Sequence, residues 1–191
     1  DAASCNECHL SSPLDDVAGN DGFIQHHDGY DDLFMGKHSL IDCVDCHDPH
    51  SGVVQPDQED LPITLVNCEN CHFDQANSKS EEVHNRFALD CIDCHMPQLI
   101  QSAVSAPAQY TGDVRTHQMA INPTLIEQFS EEGVAFPELS LNFSCRGCHN
   151  PDGFGPELDD ATLIEAATGY HTIPMATEAP PTETEEAEAT P

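Results

Sequence analysis

The chain has 191 residues, enough for one or two small domains. Thirty-five Asp and Glu face five Lys and Arg, a net charge of −30, and so acidic a surface repels nucleic acid and anionic lipid. Leu, Ile, Val and Phe number 39 and there is no Trp, near the level at which acidic chains fail to fold, so something besides amino acids is expected to supply apolar volume.

The first residues, "DAASCNECH", carry no charged n-region or apolar h-region, so the numbering is expected to start at a mature, secreted N-terminus. No run of about 18 apolar residues follows anywhere, and no membrane span is expected. "CNECH" sets Cys5, Cys8 and His9 together, and "HH" follows at His26 and His27. The segment "KHSLIDCVDCHDPHSG" then places His38, His47 and His50 around Cys43 and Cys46. "VVQPDQEDLPITLV" reads as loop with at most a short strand. "CENCH" contributes Cys68, Cys71 and His72.

In "SKSEEVHNRFALDCIDCHMP", Ser78 and Glu81 read as a capping box that opens a helix toward Cys91, with His84 two turns before that cysteine on the same face. Cys91, Cys94 and His95 form the fourth repeat. Pro49 and Pro97 stop any helix just past the second and fourth repeats. The long gap that follows holds His117 and "NPTLIEQFSEEG", read as a helix from an Asn122 cap to a Gly133 stop. "CRGCH" gives Cys145, Cys148 and His149. The stretch "PELDDATLIEAATG" is helix-like up to Gly169, with His171 just beyond. Residues 174–191 are rich in Pro, Thr and Glu, and by composition a disordered tail on a domain spanning 1–173. "NFS" at 142–144 is a glycosylation sequon on paper.

All ten cysteines are thus used in five C-x-x-C-H repeats, the attachment signature of c-type haem. Two thiols one helical turn apart reach the two vinyl groups of one porphyrin, and the adjacent His is carried under the ring as proximal iron ligand. Zinc sites also use C-x-x-C pairs, but zinc does not require a His directly after the second Cys each time. Redox-active C-x-x-C disulfides do not recur five times in a small chain. Five haem c groups are therefore expected, attached through Cys5, Cys8, Cys43, Cys46, Cys68, Cys71, Cys91, Cys94, Cys145 and Cys148. Their proximal ligands would be His9, His47, His72, His95 and His149. At that loading the stacked porphyrins would form the core, wrapped by coil and short helices with little β structure.

Seven further histidines, His26, His27, His38, His50, His84, His117 and His171, could supply the five distal ligands of full bis-histidine coordination. Met35, Met96, Met119 and Met175 are the rivals; Met ligation would raise the potentials. The aspartates of the "D-C-x-D-C-H" repeats, Asp42, Asp45, Asp90 and Asp93, are either local tuners of potential or ordinary surface charges.

Five C-x-x-C-H repeats among free histidines, with "SLIDCVDCHDP" and "FALDCIDCHMP" as variants of one unit, resemble the multihaem c-type cytochromes. The "HxPH" and "CHMP" patterns are similar to those of periplasmic pentahaem electron donors and of extracellular cytochrome filaments. The resemblance implies tightly spaced haems, and for a filament a homopolymer through haem-to-haem contacts, with a histidine of one subunit able to ligate a haem in the next. The expected function is electron transfer as the subunit of such an extracellular filament. A soluble periplasmic or extracellular shuttle is the alternative, and a reductase ranks last, because all five repeats keep their His and enough imidazoles exist to close every iron. Redox proteins or extracellular acceptors are the expected partners, with no enzymatic turnover by the chain itself.

Overall fold

The computed structural model describes residues 2–7, 19–25, 29–51, 64–78, 84 and 86–172. Most of these are turns and coil. The helices are α1 (Ala2–Asn6), α2 (Gly29–Met35), α3 (Cys43–Cys46), α4 (Phe73–Ala76), α5 (Cys91–His95), α6 (Leu141–Ser144) and α7 (Asp160–Ala167). Strands are shorter still: β1 (Gly19–Asn20) pairs antiparallel with β2 (Phe23–Gln25), which pairs in parallel with β3 (Ile100–Gln101). Among the described residues no helix is long and apolar enough to cross a membrane.

A small polypeptide core does form. Phe23, Ile24, Leu99, Ile100, Leu139 and Phe143 are buried together, flanked by Tyr110, Val114, Ile121, Phe129 and Ala135. Phe23 and Tyr110 each meet the Phe143 ring edge-on, with centres 5.6 and 5.9 Å away, a favoured arrangement of aromatic quadrupoles. The composition-based expectation that amino acids alone are too poor in apolar side chains to pack therefore fails for this region. Its apolar residues are few but concentrated, between Leu99 and Phe143, with β2 brought in from far upstream.

One expected helix is absent and a second is interrupted before Cys91. Residues 122–133 form no helix: Asn122 Oδ1 accepts from the Thr124 amide at 3.0 Å in a tight local turn. The following chain is drawn into long-range pairing, with Ile121 bridged to Leu139 and Phe129 to Ala135. The buried Gln128 side chain holds that arrangement, donating to the Phe136 and Glu138 carbonyls and accepting from the Ser140 amide. Gly133 still marks a reversal, at φ 81°, but it ends a turn instead of a helix. The helix expected to run from Ser78 through His84 to Cys91 is likewise not continuous. Residues 86–90 are turn and extended chain, with Ala88 at φ 53°, so His84 and Cys91 do not share one helical face. Glu81 lies outside the described residues.

The terminal helix is found. Asp159 caps α7, its carboxylate accepting from the Thr162 amide at 2.8 Å. Gly169, at φ 71°, then ends it in the left-handed conformation that a side chain resists. The loop expected at residues 53–63 and the tail at 174–191 lie outside the described residues, as do Cys8, His9, His26 and His27.

Candidate haem-binding histidine pairs

The repeats fold as single helical turns, and their sequence explains why. In the second to fourth repeats the residue before the first Cys and the residue before the second Cys are Asp/Asp, Asn/Asn and Asp/Asp. The second of each pair reaches back to the amide of the first: Asp45 to Asp42 N at 2.7 Å, Asn70 to Asn67 N at 3.0 Å, Asp93 to Asp90 N at 2.9 Å. A carboxylate or amide here closes the start of the turn, where backbone amides lack helical partners. The aspartates singled out in the sequence therefore act as caps. At the other end, the His47, His72 and His149 amides donate to the carbonyls of Cys43, Cys68 and Cys145 at 2.8, 2.8 and 2.9 Å, closing the turn on the repeat histidine.

Arg115 adds a lock on the fourth repeat. Its guanidinium donates to the Ile92 and Met96 carbonyls at 3.0 and 2.9 Å and to Asp93 Oδ1 at 3.0 Å. In the fifth repeat Arg146 bonds Asn142 and Asp160, tying the repeat to α7.

Each described repeat histidine faces a histidine from elsewhere in the chain. Ring centres lie 5.8 Å apart for His72 and His38, 6.2 Å for His47 and His117, 6.2 Å for His149 and His84, and 5.8 Å for His95 and His171. A metal with one imidazole nitrogen about 2 Å away on either side, each nitrogen about 1.1 Å from its ring centre, requires centres about 6 Å apart. Edge-on ring packing spans about 4.5–7 Å as well, so what marks these pairs is that each joins one repeat histidine to one histidine outside the repeats. The ring planes cross at 80°, 59°, 83° and 24° respectively.

The supporting contacts select the nitrogen that faces the partner. His95 Nδ1 is 2.8 Å from the Met119 carbonyl oxygen, and His149 Nδ1 is 2.9 Å from that of Pro156. A carbonyl only accepts, so both rings place their proton on Nδ1, which makes Nε2 the nitrogen that could coordinate a metal. His84 Nδ1 meets the Tyr170 hydroxyl at 2.5 Å. His117 is placed through its backbone: the fully buried Asp32 accepts from the His117 amide at 2.9 Å and from the Thr116 hydroxyl at 2.6 Å. Burial pushes the His117 imidazole below its ordinary value, opposed by Asp32 and reinforced by His47, and burial does the same to His38, aided by His72 and His95. The shift in each case favours the neutral imidazole, the form that coordinates metals. Glycines seat two of the rings: a Cβ on Gly29 would come within 2.4 Å of His117 Nδ1, and one on Gly155 within 2.9 Å of His149 Nδ1.

His50 is not brought to any of these pairs. Its side chain is 92% exposed and its Nδ1 lies 3.2 Å from Asp48 Oδ1. His9, His26 and His27 fall outside the described residues. The pairing of each repeat with its partner, and the roles of Arg115, Asp32 and Tyr170, carry no signal in the sequence, because all of them depend on contacts between distant segments.

The sites adjoin in chain order. The Cys5 side chain is hydrogen-bonded to Cys43, and Cys46 lies within electrostatic range of Cys68 and Cys71. His38, facing the third repeat, also feels His95 of the fourth. Tyr170 touches both His171, which faces the fourth repeat, and His84, which faces the fifth.

Each pair brings two imidazole rings together, a donor set that would fit the two axial positions of a haem attached at the adjoining cysteines. Among the described residues no three His, Cys, Asp or Glu side chains gather as a metal-binding group. The nine described cysteines are unbridged. Burial is the main cause that raises the thiols of Cys43, Cys46 and Cys148, and it pushes Cys145 up to about 11. Large apolar side chains crowd the repeats at the surface: Leu40, Val44, Leu65, Phe73, Phe87 and Phe154 are all exposed. Such a concentration beside four of the attachment sequences, the second to the fifth, fits porphyrin faces.

No family model, curated protein or solved structure matches the chain.

Proposed function

We propose that the chain binds five haem c groups, four of them at the described imidazole pairs, and conducts electrons along the resulting row. The observation that carries this reading is the recurrence of one repeat histidine and one distant histidine at 5.8–6.2 Å between ring centres, four times over. Haem c would supply reversible one-electron storage at each site. The protein's part is positional. The capped turns would aim the cysteines and the proximal imidazole, the carbonyls of Met119 and Pro156 would hold the Nδ1 protons, and His38, His84, His117 and His171 would supply the second ligands. Haems held so at both faces would leave these four sites no coordination place for a small substrate, which favours a carrier over a reductase. His26, His27 and His50 are left for the first repeat, or for a repeat in a neighbouring chain.

The test is direct. Purified holoprotein should gain the mass of five haems and give a five-haem pyridine haemochrome, with low-spin spectra throughout. Protein without covalent haem, or with zinc in its place, overturns the reading.

The finer proposal is that the row continues from subunit to subunit in an extracellular filament. It is supported by the adjacency of the sites in chain order, first repeat to fifth. At a net charge of −30, deepened by haem propionates, subunits repel over a Debye length of about 8–10 Å at moderate salt, so assembly should strengthen with salt or divalent cations. Negative-stain microscopy across a salt series should show fibres; discrete particles at all salts would favour the soluble shuttle.

A further inference from the structure

Tyr170 touches the non-repeat histidines of two successive sites with two different parts of its side chain. Its hydroxyl lies 2.5 Å from Nδ1 of His84, which faces His149 of the fifth repeat. Its ring meets His171, which faces His95 of the fourth repeat, edge-on at 4.9 Å between centres. This placement is well anchored. α7 is capped by Asp159 and bonded through Asp160 to Arg146 inside the fifth repeat. The left-handed Gly169 then turns the chain, and the Tyr170 and Thr172 amides bond back to the Ala167 and Gly169 carbonyls. Tyr170 is thus fixed relative to the fifth repeat while it carries His171 toward the fourth.

We propose that Tyr170 is a positioning residue shared by the last two haems, its hydroxyl setting the potential of the fifth and its ring orienting the ligand of the fourth. This rests on the haem reading above. When His84 gives its Nε2 to iron, its Nδ1 bears the proton and donates to the Tyr170 oxygen. An acceptor on the far nitrogen makes an imidazole a stronger donor to its metal and favours the oxidised state. The hydroxyl therefore lowers the fifth potential. Because His84 and His149 cross at 83°, the same bond fixes a nearly perpendicular ligand geometry that a freed ring would not keep.

The experiment compares holoprotein with Tyr170→Phe and Tyr170→Ala by spectropotentiometry and low-temperature spin resonance. Tyr170→Phe keeps the ring and should raise one potential of the five and shift one strongly anisotropic low-spin signal, leaving the other four haems unchanged. Tyr170→Ala should disturb a second haem as well, the one with near-parallel ligands. Should Tyr170→Phe not accumulate, 3-fluorotyrosine placed at 170 weakens the hydroxyl as an acceptor without removing it, and the same single potential should rise. Five haems present with every potential and signal unmoved would overturn the role of Tyr170 alone. A wild-type chain without haem would overturn this inference and its parent together.

Discussion

His95 and His171 stand with ring centres 5.8 Å apart and planes only 24° from parallel, whereas His84 and His149, at nearly the same separation, cross at 83°. The relative orientation of two axial imidazoles governs how the iron d orbitals split. Near-parallel rings give a rhombic low-spin ferric signal, and crossed rings give a strongly anisotropic one. The four described pairs should therefore produce a mixed spectrum, with one rhombic species from the fourth repeat and crossed-ring species from the third and fifth. A spectrum in which all haems are rhombic would contradict this assignment.

Removing His117 and removing His50 should have opposite outcomes. His117 faces His47 and is placed by the buried Asp32, so His117→Ala should leave one iron in five five-coordinate, with a high-spin signal and carbon monoxide binding. His50 is 92% exposed beside Asp48, and His50→Ala should leave the spectrum as it was. A high-spin species in His50→Ala would instead make His50 a ligand, to the first repeat or to a neighbouring chain.

Gly29→Ala separates packing from propensity. Gly29 opens α2, and on propensity alone alanine in a helix gains up to about 1 kcal/mol over glycine. The new Cβ, however, would sit 2.4 Å from His117 Nδ1 and 2.8 Å from its Cε1, and overpacking of this kind costs about 1–3 kcal/mol. The clash should win. The variant is expected to show a lower thermal midpoint and part of the high-spin signal of His117→Ala. Gly36→Ala, whose Cβ would meet only the Asp32 and Leu33 carbonyls at 3.6 Å, serves as the control and should show neither.

Asp113 gives a pH dependence away from the iron sites. Its carboxylate accepts from the Ser102, Ala103 and Val104 amides at 2.6–2.9 Å, and these bonds, chiefly those of Ser102 and Val104, hold it below the ordinary carboxylate value. The folded state therefore binds this proton less readily than the unfolded one. Its stabilising contribution is present in full above the unfolded pKa of about 3.9, and is lost as pH falls through the lower folded value. Asp113→Asn should lower the thermal midpoint at pH 7, and the gap to wild type should close as the pH is brought below about 4.

The parts of this molecule that could be read from sequence are those written in local spacing. The C-x-x-C-H repeats, the Asp159–Gly169 helix and the surplus of histidines are of this kind. The aspartates of the second and fourth repeats stand out in the sequence too, although their capping function, and that of Asn67 and Asn70 in the third, shows only once the turn is built. What sequence could not show depends on contacts between distant segments. Asn122, Pro123 and Gly133 carry genuine helix signals, but the bonds from Gln128 to residues 136–140 outweigh local propensity. His50 adjoins a repeat in sequence, but its side chain lies exposed beside Asp48 and outside the four described pairs. His171 lies far from any repeat in sequence and still faces His95, because α7 folds back toward the fourth and fifth repeats.

The burial of Leu141, Asn142, Phe143 and Ser144 directly before Cys145 constrains biogenesis. If porphyrin is joined to Cys145 and Cys148 as proposed, the attaching enzyme would need access to a stretch that the seating of Phe143 against Phe23 and Tyr110 closes off. Maturation at this last station would then have to finish before the N-terminal β2 docks, and a chain that folds too eagerly here would trap itself one cofactor short.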